Sequence, residues 1–260
     1  MITVSIITPL YNCTNFLDTT LNSILSQTYQ NWEVIMVDDL SSDDSVSKAQ
    51  VFAEKDHRIK LIQLEKNSGA AVARNKAIEA ATGRFIAFLD SDDLWHPQKL
   101  EKQINFMLKN NYAFSYTAYE KIDEKDKVFE YVGAPHQLSY KQLLKTNEIG
   151  CLTVIYDTKH LGKVYMPTET KREDYATWLS ILKKTDYAYG MPEILGQYRV
   201  YANQSSAKKG KMAKENWKLY RHIENLSVIK SVYYFGHYAI RGVLRTKLPK
   251  LARMLGILHK

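Results

Sequence analysis

Three carboxylates within four positions form the strongest chemical signal in the sequence. An apolar run of strand length, residues 85–89, leads directly into Asp90–Asp93. Open α/β sheets bind ligands beyond the carboxyl ends of their strands, so we expect these side chains at a ligand site. Clustered carboxylates repel one another unless a cation lies among them, and a hard divalent ion meets that need. A solvated acidic turn that caps a helix beginning near Pro97 is the other interpretation of the same residues.

Polar groups follow the other strand-like segments as well, and one acidic pair begins a later helix. These are Thr8-Pro9, Asp38-Asp39, Asn67–Gly69 with Arg74 in the helix that follows, and Glu173-Asp174. Because the carboxyl ends of parallel strands meet at one edge of a sheet, we expect these groups to converge on a diphosphate-containing ligand. Arg74 would counter a phosphate, and Asp39 would accept a hydrogen bond from an imide N–H of a base. Asp90 and Asp92 would hold the ion.

Alternating strands and helices must position these groups. Predicted strands are residues 4–8, 32–37, 59–64 and 85–89, and predicted helices are 15–27 (with Asn15 as its cap), 42–53, 69–81 and 97–110. This order predicts an α/β fold with a largely parallel sheet covered on both faces. Later segments are mixed: strands at 112–119, 127–132 and 152–156, helices at 140–145 and 172–184, and a strand pair within 188–200. A Ser/Lys/Gly stretch at 205–211 predicts a boundary.

Composition limits the class of protein and locates its charge. The chain has 260 residues, 45% of them hydrophobic, and two cysteines, Cys13 and Cys151, without paired spacing. Neither a disulfide framework nor a zinc site is indicated, and the beginning of the chain reads as a strand, so we expect a cytoplasmic protein. The formal charge is +8, and residues 217–260 carry nine cations and one acid. The basic character therefore belongs to the last segment.

Five motifs stand in an order that resembles family 2 glycosyltransferases with the A-type (GT-A) fold. They are Thr8–Asn12, Val37–Ser41, Asn67–Asn75, Leu89–Asp93 and Glu173-Asp174, followed by a Tyr-Arg…Ser element at Tyr198-Arg199 and Ser205-Ser206. The resemblance covers about residues 1–206. It implies a Rossmann-like nucleotide-diphospho-sugar transferase fold with a mixed, mainly parallel sheet. Leu40 departs from the pattern, because Gly or Ser is frequent at that position.

The resemblance also implies residue roles. Nucleotide-sugar contacts are expected from Thr8, Pro9, Tyr11, Asp39, Arg74, Asp90 and Ser91. Asp92 and Asp90 would bind Mn²⁺ or Mg²⁺, which bridges the diphosphate. Asp174 would be the general base that deprotonates an acceptor hydroxyl. With one base and no protein nucleophile, the expected reaction is a single displacement with inversion at the anomeric carbon.

The resemblance divides the chain into functional parts. Residues 1–206 would be the catalytic domain, with a nucleotide-sugar-binding half at 1–110 and an acceptor-binding half at 111–206. Tyr116 or Trp95 could stack on a sugar ring, although the alternation of Tyr112, Tyr116 and Tyr119 in a predicted strand is more typical of sheet packing. Residues 212–260 would be a basic, amphipathic helical region. The expected donor is a UDP-sugar, and the expected acceptor is a glycan or a lipid-linked saccharide of bacterial surface polysaccharide synthesis.

Residues 217–260 allow two interpretations. Aromatic and aliphatic residues alternate with cations there, which is typical of a helix at an anionic membrane surface. We therefore expect a peripheral protein at the inner face of the cytoplasmic membrane. A helix pair that packs on the catalytic domain is the other interpretation.

Three other protein classes share part of this pattern. A nucleic-acid-binding module could use the same basic segment, but no motif for nucleic-acid binding accompanies it, so no nucleic acid is expected. A nucleotidyltransferase would need a Gly-rich loop after the first strand. An inactive family member that only binds nucleotide sugars or partners would not require the four aspartates Asp39, Asp90, Asp92 and Asp174.

Overall fold

The fold is described from a computed structural model that covers residues 2–201 and 209–259. Ser205-Ser206 of the predicted Tyr-Arg…Ser element lies outside the described residues, as does most of the predicted boundary at 205–211, whose last residues belong to a helix that begins at Lys209. The strands are β1 Val4–Leu10, β2 Trp32–Asp38, β3 Ile59–Gln63, β4 Phe85–Phe88, β5 Leu94–Trp95, β6 Phe114–Ile122, β7 Val128–Val132, β8 Gln137–Leu138, β9 Ile155–Asp157 and β10 Ala188–Arg199. The helices are α1 Leu17–Leu25, α2 Ser45–Lys55, α3 Ala70–Ala80, α4 Lys99–Asn110, α5 Tyr140–Lys145, α6 Thr158–Leu161, α7 Glu173–Ile181, α8 Lys209–Lys218, α9 Val228–Lys247 and α10 Pro249–Met254.

One mixed sheet joins these strands in the order β3-β2-β1-β4-β9-β6-β10-β5, with β7 on β6 and β8 on β10. The strands β3, β2, β1 and β4 are parallel, as the alternating pattern predicts. The strand β9 is antiparallel to β4 and to β6, so it links the parallel half to the second half. The parallel half brings the carboxyl ends of β1, β2 and β4 to one edge.

Buried side chains form a core on each face of the sheet. Ile7 and Phe88 point to one face, where they pack with α3 and α7. Ile6 and Ala87 point to the other face, where they pack with α1 and α4. Successive residues of a strand point to opposite faces, so strands that are apolar throughout require this double cover. The predicted α/β architecture with both faces covered is confirmed.

Three local predictions are wrong. Residues 188–200 do not form a strand pair but one strand, β10, whose register against β6 shifts between Met191 and Gly196. Pro192 lacks the N–H that a ladder requires, so the strand bends there without ending. Residues 151–153 form a 3-10 turn ahead of β9, and α1 begins after Phe16 without a side-chain cap from Asn15.

The C-terminal region is helical, as predicted, and it packs on the preceding α/β part of the chain. A π-helical segment, Leu219–Ile223, joins α8 to the turn before α9. Leu219 and Tyr220 are fully buried in the core that includes α7. Among the helices described, none combines the length and the apolar character needed to cross a bilayer.

Candidate active site

A cavity of about 2150 Å³ opens where β1, β2 and β4 end. Of the residues that the sequence predicts for the site, eight line it: Pro9, Tyr11, Asp39, Arg74, Asp90, Ser91, Asp92 and Asp174. The cavity therefore brings together groups that are up to 165 positions apart in the sequence, from Pro9 to Asp174. A large concave site with convergent polar groups is the usual form of a ligand site.

Thr8 is the one predicted site residue that does not line the cavity. Its side chain is fully buried in β1, and its hydroxyl has no hydrogen-bond partner in the described part of the chain. Neighbouring residues of a strand point to opposite faces, so the structure directs Pro9 toward the cavity and Thr8 away from it. The predicted contact between Thr8 and a nucleoside stays a prediction, and a buried side chain outside the cavity lining leaves the backbone of Thr8 as its only route to such a contact.

Asp39 organises the loop ahead of α3. Its two carboxylate oxygens accept hydrogen bonds from the backbone N–H groups of Ser68 at 2.6 Å and Gly69 at 2.8 Å. Gly69 has a φ of 90°, a conformation that glycine adopts without strain. A carboxylate has about four acceptor sites, so Asp39 retains capacity for a base N–H. The residue after it, Leu40, also lies in the left-handed region at a φ of 64°, and a non-glycine residue there costs about 1–3 kcal/mol.

Arg74 joins the two sides of the cavity. It is buried on α3, and its guanidinium lies 2.6 Å from Asp90 and 3.2 Å from Glu173. Burial by itself would lower the pKa of Arg74, but the charges of the surrounding groups, led by Asp90, and the hydrogen bond to Asp90 together outweigh burial and raise it. The guanidinium therefore stays charged and ties the end of β4 to the beginning of α7. If Arg74 also binds a phosphate, as predicted, its guanidinium would have to contact the phosphate and these two carboxylates at the same time.

The acidic cluster is crowded and mostly buried. Burial, with a further contribution from the charge of Asp90, raises the pKa of Asp92 to about 6. Burial and the charge of Asp92 likewise raise the pKa of Asp93, which accepts a hydrogen bond from the backbone N–H of Arg199 at 2.9 Å. The Asp92 carboxylate accepts one from the hydroxyl of Tyr201 at 3.0 Å. The cluster thus concentrates carboxylates just beyond the carboxyl end of β4, and the raised pKa values of Asp92 and Asp93 show that the surrounding groups do not fully stabilise their charged forms.

The donor set at this cluster fits a hard divalent cation. Asp90 and Asp92 offer carboxylate oxygens, which such ions prefer, and a cation would relieve the repulsion that raises the pKa of Asp92. Within residues 2–201 and 209–259, no group of three or more histidine, cysteine, aspartate or glutamate side chains is arranged to hold a metal by itself. Mg²⁺-type sites commonly combine one or two carboxylates with substrate phosphates, so a shared site is compatible with this geometry.

Asp174 and Glu173 differ in their availability. Glu173 is engaged by Arg74, and burial raises its pKa. Asp174 lines the same cavity from the first turn of α7, and its carboxylate has no hydrogen bond or ion pair to the residues described. Of the two, Asp174 is the carboxylate free to accept a proton from a ligand.

The opposite wall of the cavity comes from segments without a recognised motif. Phe129 and Tyr131 lie two positions apart on β7, are more than half exposed and line the cavity. Residues of α9 and α10, among them Arg253, complete this wall. Tyr116 and Trp95, either of which could have stacked on a sugar, are buried in the core, as the strand alternation indicated for Tyr116. The spacing of Phe129 and Tyr131 on a short strand was the available sequence signal for this wall.

Arg199 is a further residue whose importance the sequence only partly indicated. Its side chain is fully buried and donates to the backbone carbonyl of Asp92 at 2.8 Å and to the carboxylate of Asp126 at 2.6 Å. Its guanidinium also lies 4.5 Å from the ring of Phe16. Arg199 thereby ties the acidic cluster to the β6–β7 turn and to the segment before α1.

Comparison with known sequences decides the family. A sequence profile for glycosyl transferase family 2 matches residues 5–161, which is more than half of the chain. The chain belongs to glycosyltransferase family 2.

Two curated glycosyltransferases match nearly the whole chain. The putative teichuronic acid biosynthesis glycosyltransferase TuaG of Bacillus subtilis is 46% identical over 92% of this chain and 96% of its own length. The Escherichia coli protein WfgD is 44% identical over 92% of this chain and 93% of its own length, and its name is UDP-Glc:alpha-D-GlcNAc-diphosphoundecaprenol beta-1,3-glucosyltransferase.

Solved structures confirm the GT-A fold of this family 2 enzyme. The crystal structure of S. aureus TarS residues 1–349 in complex with UDP-GlcNAc has a TM-score of 0.73 at 20% identity, covering 99% of this chain and 79% of that one. The mannosyltransferase PcManGT from Pyrobaculum calidifontis, in complex with GDP-Man and Mn²⁺, has a TM-score of 0.65 at 19% identity and covers 97% of this chain and 78% of that one. At these identities the likeness shows the fold.

Proposed function

We propose that this glycosyltransferase moves a sugar from a UDP-sugar to a hydroxyl of a lipid-linked saccharide during bacterial surface-polysaccharide synthesis, with inversion at the anomeric carbon. The names of the relatives TuaG and WfgD support the pathway, and the name of WfgD also supports the donor and the acceptor class. UDP-glucose is accordingly the first donor to test. The observation that carries the proposal is the placement of Asp174 in the same cavity as Asp90 and Asp92, with no hydrogen bond or ion pair to its carboxylate from the described part of the chain.

Asp90 and Asp92 are the residues we propose to hold Mn²⁺ or Mg²⁺. When bound, the ion would neutralise the charge that develops on the departing diphosphate. Arg74 keeps Asp90 in place through their 2.6 Å ion pair. Pro9, Tyr11, Asp39 and Ser91 line the same cavity at or just beyond the ends of β1, β2 and β4, and we propose them as donor contacts.

Asp174 is the residue we propose as general base. A base contributes on the order of 10²–10⁴-fold when it reaches the proton that it accepts. In the proposed step, the acceptor oxygen bonds to the anomeric carbon as the bond to the diphosphate breaks, and the hydroxyl proton passes to Asp174. One displacement from the face opposite the leaving group inverts the configuration. Glu173 does not compete for this role while Arg74 holds it.

The proposed setting is the inner face of the cytoplasmic membrane. A lipid-linked acceptor is confined to the bilayer, and residues 217–260 carry a net charge of +8 that an anionic lipid surface would attract. We therefore propose peripheral attachment through this region.

Donor binding can be tested by calorimetry with UDP, UDP-sugars and GDP-sugars, in Mn²⁺ and in EDTA. We expect UDP-sugars to bind only with the ion, and Asp92→Asn to remove most of that binding. Asp44→Asn is the matched control, because Asp44 is an exposed carboxylate outside the cavity. Undiminished UDP affinity in EDTA would contradict the metal assignment, and tighter binding of GDP-sugars would contradict the donor.

A further inference from the structure

The helix α9 exposes an apolar stripe that no other part of the described chain covers. Ile229, Val232, Tyr233, Ile240 and Val243 are each more than half exposed, and Ile229 is 83% exposed. Their spacing of three, four and seven residues places them on one side of the helix. A surface helix of a globular protein normally turns such a stripe toward the core, so this exposure marks an interaction surface.

The opposite side of α9 is the one that packs on the catalytic domain. Tyr234 and Phe235 pack against the core cluster that contains α3 and α7. Arg241 and Arg245 both reach Glu148, at 3.3 Å and 2.7 Å. These contacts fix the rotation of the helix about its axis. The side that carries Tyr234, Phe235, Arg241 and Arg245 faces the rest of the protein, and the apolar stripe therefore faces outward.

The following helix continues the exposed surface. Leu248, Leu251, Met254 and Leu255 are exposed on or beside α10, and Met254 is 83% exposed. Exposed cations accompany the apolar side chains: Lys230, Lys247 and Lys250. The sequence from residue 225 to residue 260 contains no aspartate or glutamate. These three cations, together with the exposed apolar side chains of α9 and α10 named above, are called the outer face of α9–α10.

We propose that the outer face of α9–α10 inserts into an anionic lipid surface, with its apolar side chains among the acyl chains and its cations at the headgroups. Apolar side chains on one face and cations without acids beside them suit a lipid interface. This inference deepens the proposed function by assigning membrane attachment to one side of two helices.

The orientation that follows also concerns the cavity. Gly242, Thr246, Pro249 and Arg253 belong to the same two helices, and they line the cavity that contains Asp174. Insertion of the outer face would therefore hold one wall of the cavity next to the headgroups. The saccharide of a lipid-linked acceptor could then reach Asp174 while its lipid remains in the bilayer.

Sedimentation of the full chain with vesicles tests the assignment without relying on transfer activity. The vesicles are phosphatidylcholine with or without phosphatidylglycerol. We expect binding to the anionic vesicles and an at least tenfold lower partition coefficient for the double variant Ile229→Glu/Ile240→Glu. Lys247→Gln/Lys250→Gln should weaken binding to anionic vesicles only. Val51→Glu is the matched control, since Val51 is a similarly exposed aliphatic residue on α2, and it should bind as the unmodified protein does.

Two further measurements separate the outcomes. Tyr233→Trp should be quenched by brominated lipid if the stripe enters the acyl region, and all variants should keep UDP binding if they are folded. Equal sedimentation of Ile229→Glu/Ile240→Glu and unmodified protein would overturn the proposal. A second outcome would also overturn it: the unmodified protein is a dimer that does not bind vesicles, and the double variant is a monomer. The stripe would then be an interface between two copies of the chain. Failure of transfer with intact vesicle binding would count against the proposed function alone.

Discussion

Replacement of Arg74 by methionine should destabilise the protein in a way that depends on pH. Arg74 is buried, and its guanidinium lies between the carboxylates of Asp90 and Glu173, at 2.6 Å and 3.2 Å. Methionine retains much of the side-chain volume but removes the charge and the hydrogen bonds. The variant therefore leaves two carboxylates near one another in a mostly buried site without a cation.

The expected loss follows from the burial of the partners. Breaking a buried ion pair by removing one partner costs about 3–5 kcal/mol. Asp90 is about a quarter exposed, at 27%, so we expect the lower end, about 3 kcal/mol. For a chain of this size each kcal/mol corresponds to roughly 2–4 °C, so the melting temperature should fall by about 6–12 °C.

The pH dependence has a definite sign. Burial already raises the pKa of Glu173, and the charge of Arg74 opposes that rise. Without Arg74 the folded-state pKa of Glu173 should increase further above its unfolded value. A group of this kind stabilises the fold in its protonated form and loses that contribution as pH rises through the folded pKa. The difference between variant and unmodified protein should therefore shrink as pH falls through the folded-state pKa of Glu173 in the variant.

Urea denaturation at several pH values, followed by circular dichroism, measures this effect. Lys48→Met is the control, because it breaks an exposed pair with Asp18, whose side chains are 34% and 50% exposed, and should cost at most about 1 kcal/mol. A loss for Arg74→Met no larger than that of the control, or one that does not change with pH, would refute the reasoning about Arg74.

Three other substitutions test separate parts of the site and the fold. Asp174→Asn should lower kcat on the order of 10²–10⁴-fold in a transfer assay and leave the calorimetric affinity for UDP-sugar unchanged; a near-normal rate would move the base role to another residue. Asp39→Ala should weaken UDP more than pyrophosphate in calorimetry, and equal losses would mean that Asp39 does not contact the base. Burial alone would raise the pKa of Glu33, but hydrogen bonds from Lys60, Ser5 and Thr82 lower it to about 2. The stabilising contribution of Glu33, about 3 kcal/mol, should be present above about pH 4.5 and fade toward pH 2. The destabilisation of Glu33→Gln in urea titrations should therefore disappear in acid. A difference in stability between variant and unmodified protein that stays constant with pH would contradict this prediction.

The parallel half of the sheet was predictable because its signals are local. Each of β1, β2 and β4 is an apolar run followed directly by a polar group, and the carboxyl ends of parallel strands must meet. The sequence could not show that Pro9 lines the cavity while the side chain of Thr8 is buried, because it does not indicate which face of the sheet each residue of β1 points to. It could not show that Arg74 is shared by Asp90 and Glu173 either, since Glu173 lies 99 positions away.

The second half of the site was less predictable because its determinants are long-range. Pro192 and Gly196 resemble turn residues, yet pairing with β6 keeps residues 188–199 in one strand. Residues 217–260 indicated both packing and membrane attachment. The structure shows packing on one side of α9 and an uncovered apolar stripe on the other. The packing of Tyr234 and Phe235 on the core and the contacts of Arg241 and Arg245 with Glu148 fix which side faces outward.

Transfer with stereochemical analysis tests the central claim most directly. The full chain would be incubated with UDP-glucose, Mn²⁺ and a short-chain lipid diphosphate that carries N-acetylglucosamine, and the product would be examined by NMR. We expect release of UDP, dependence on the ion and a β-linked product from the α-linked donor. A product with retained α configuration would contradict single displacement with Asp174 as base. Absence of transfer from every UDP-sugar tested, in protein that still binds UDP, would contradict the proposed function itself.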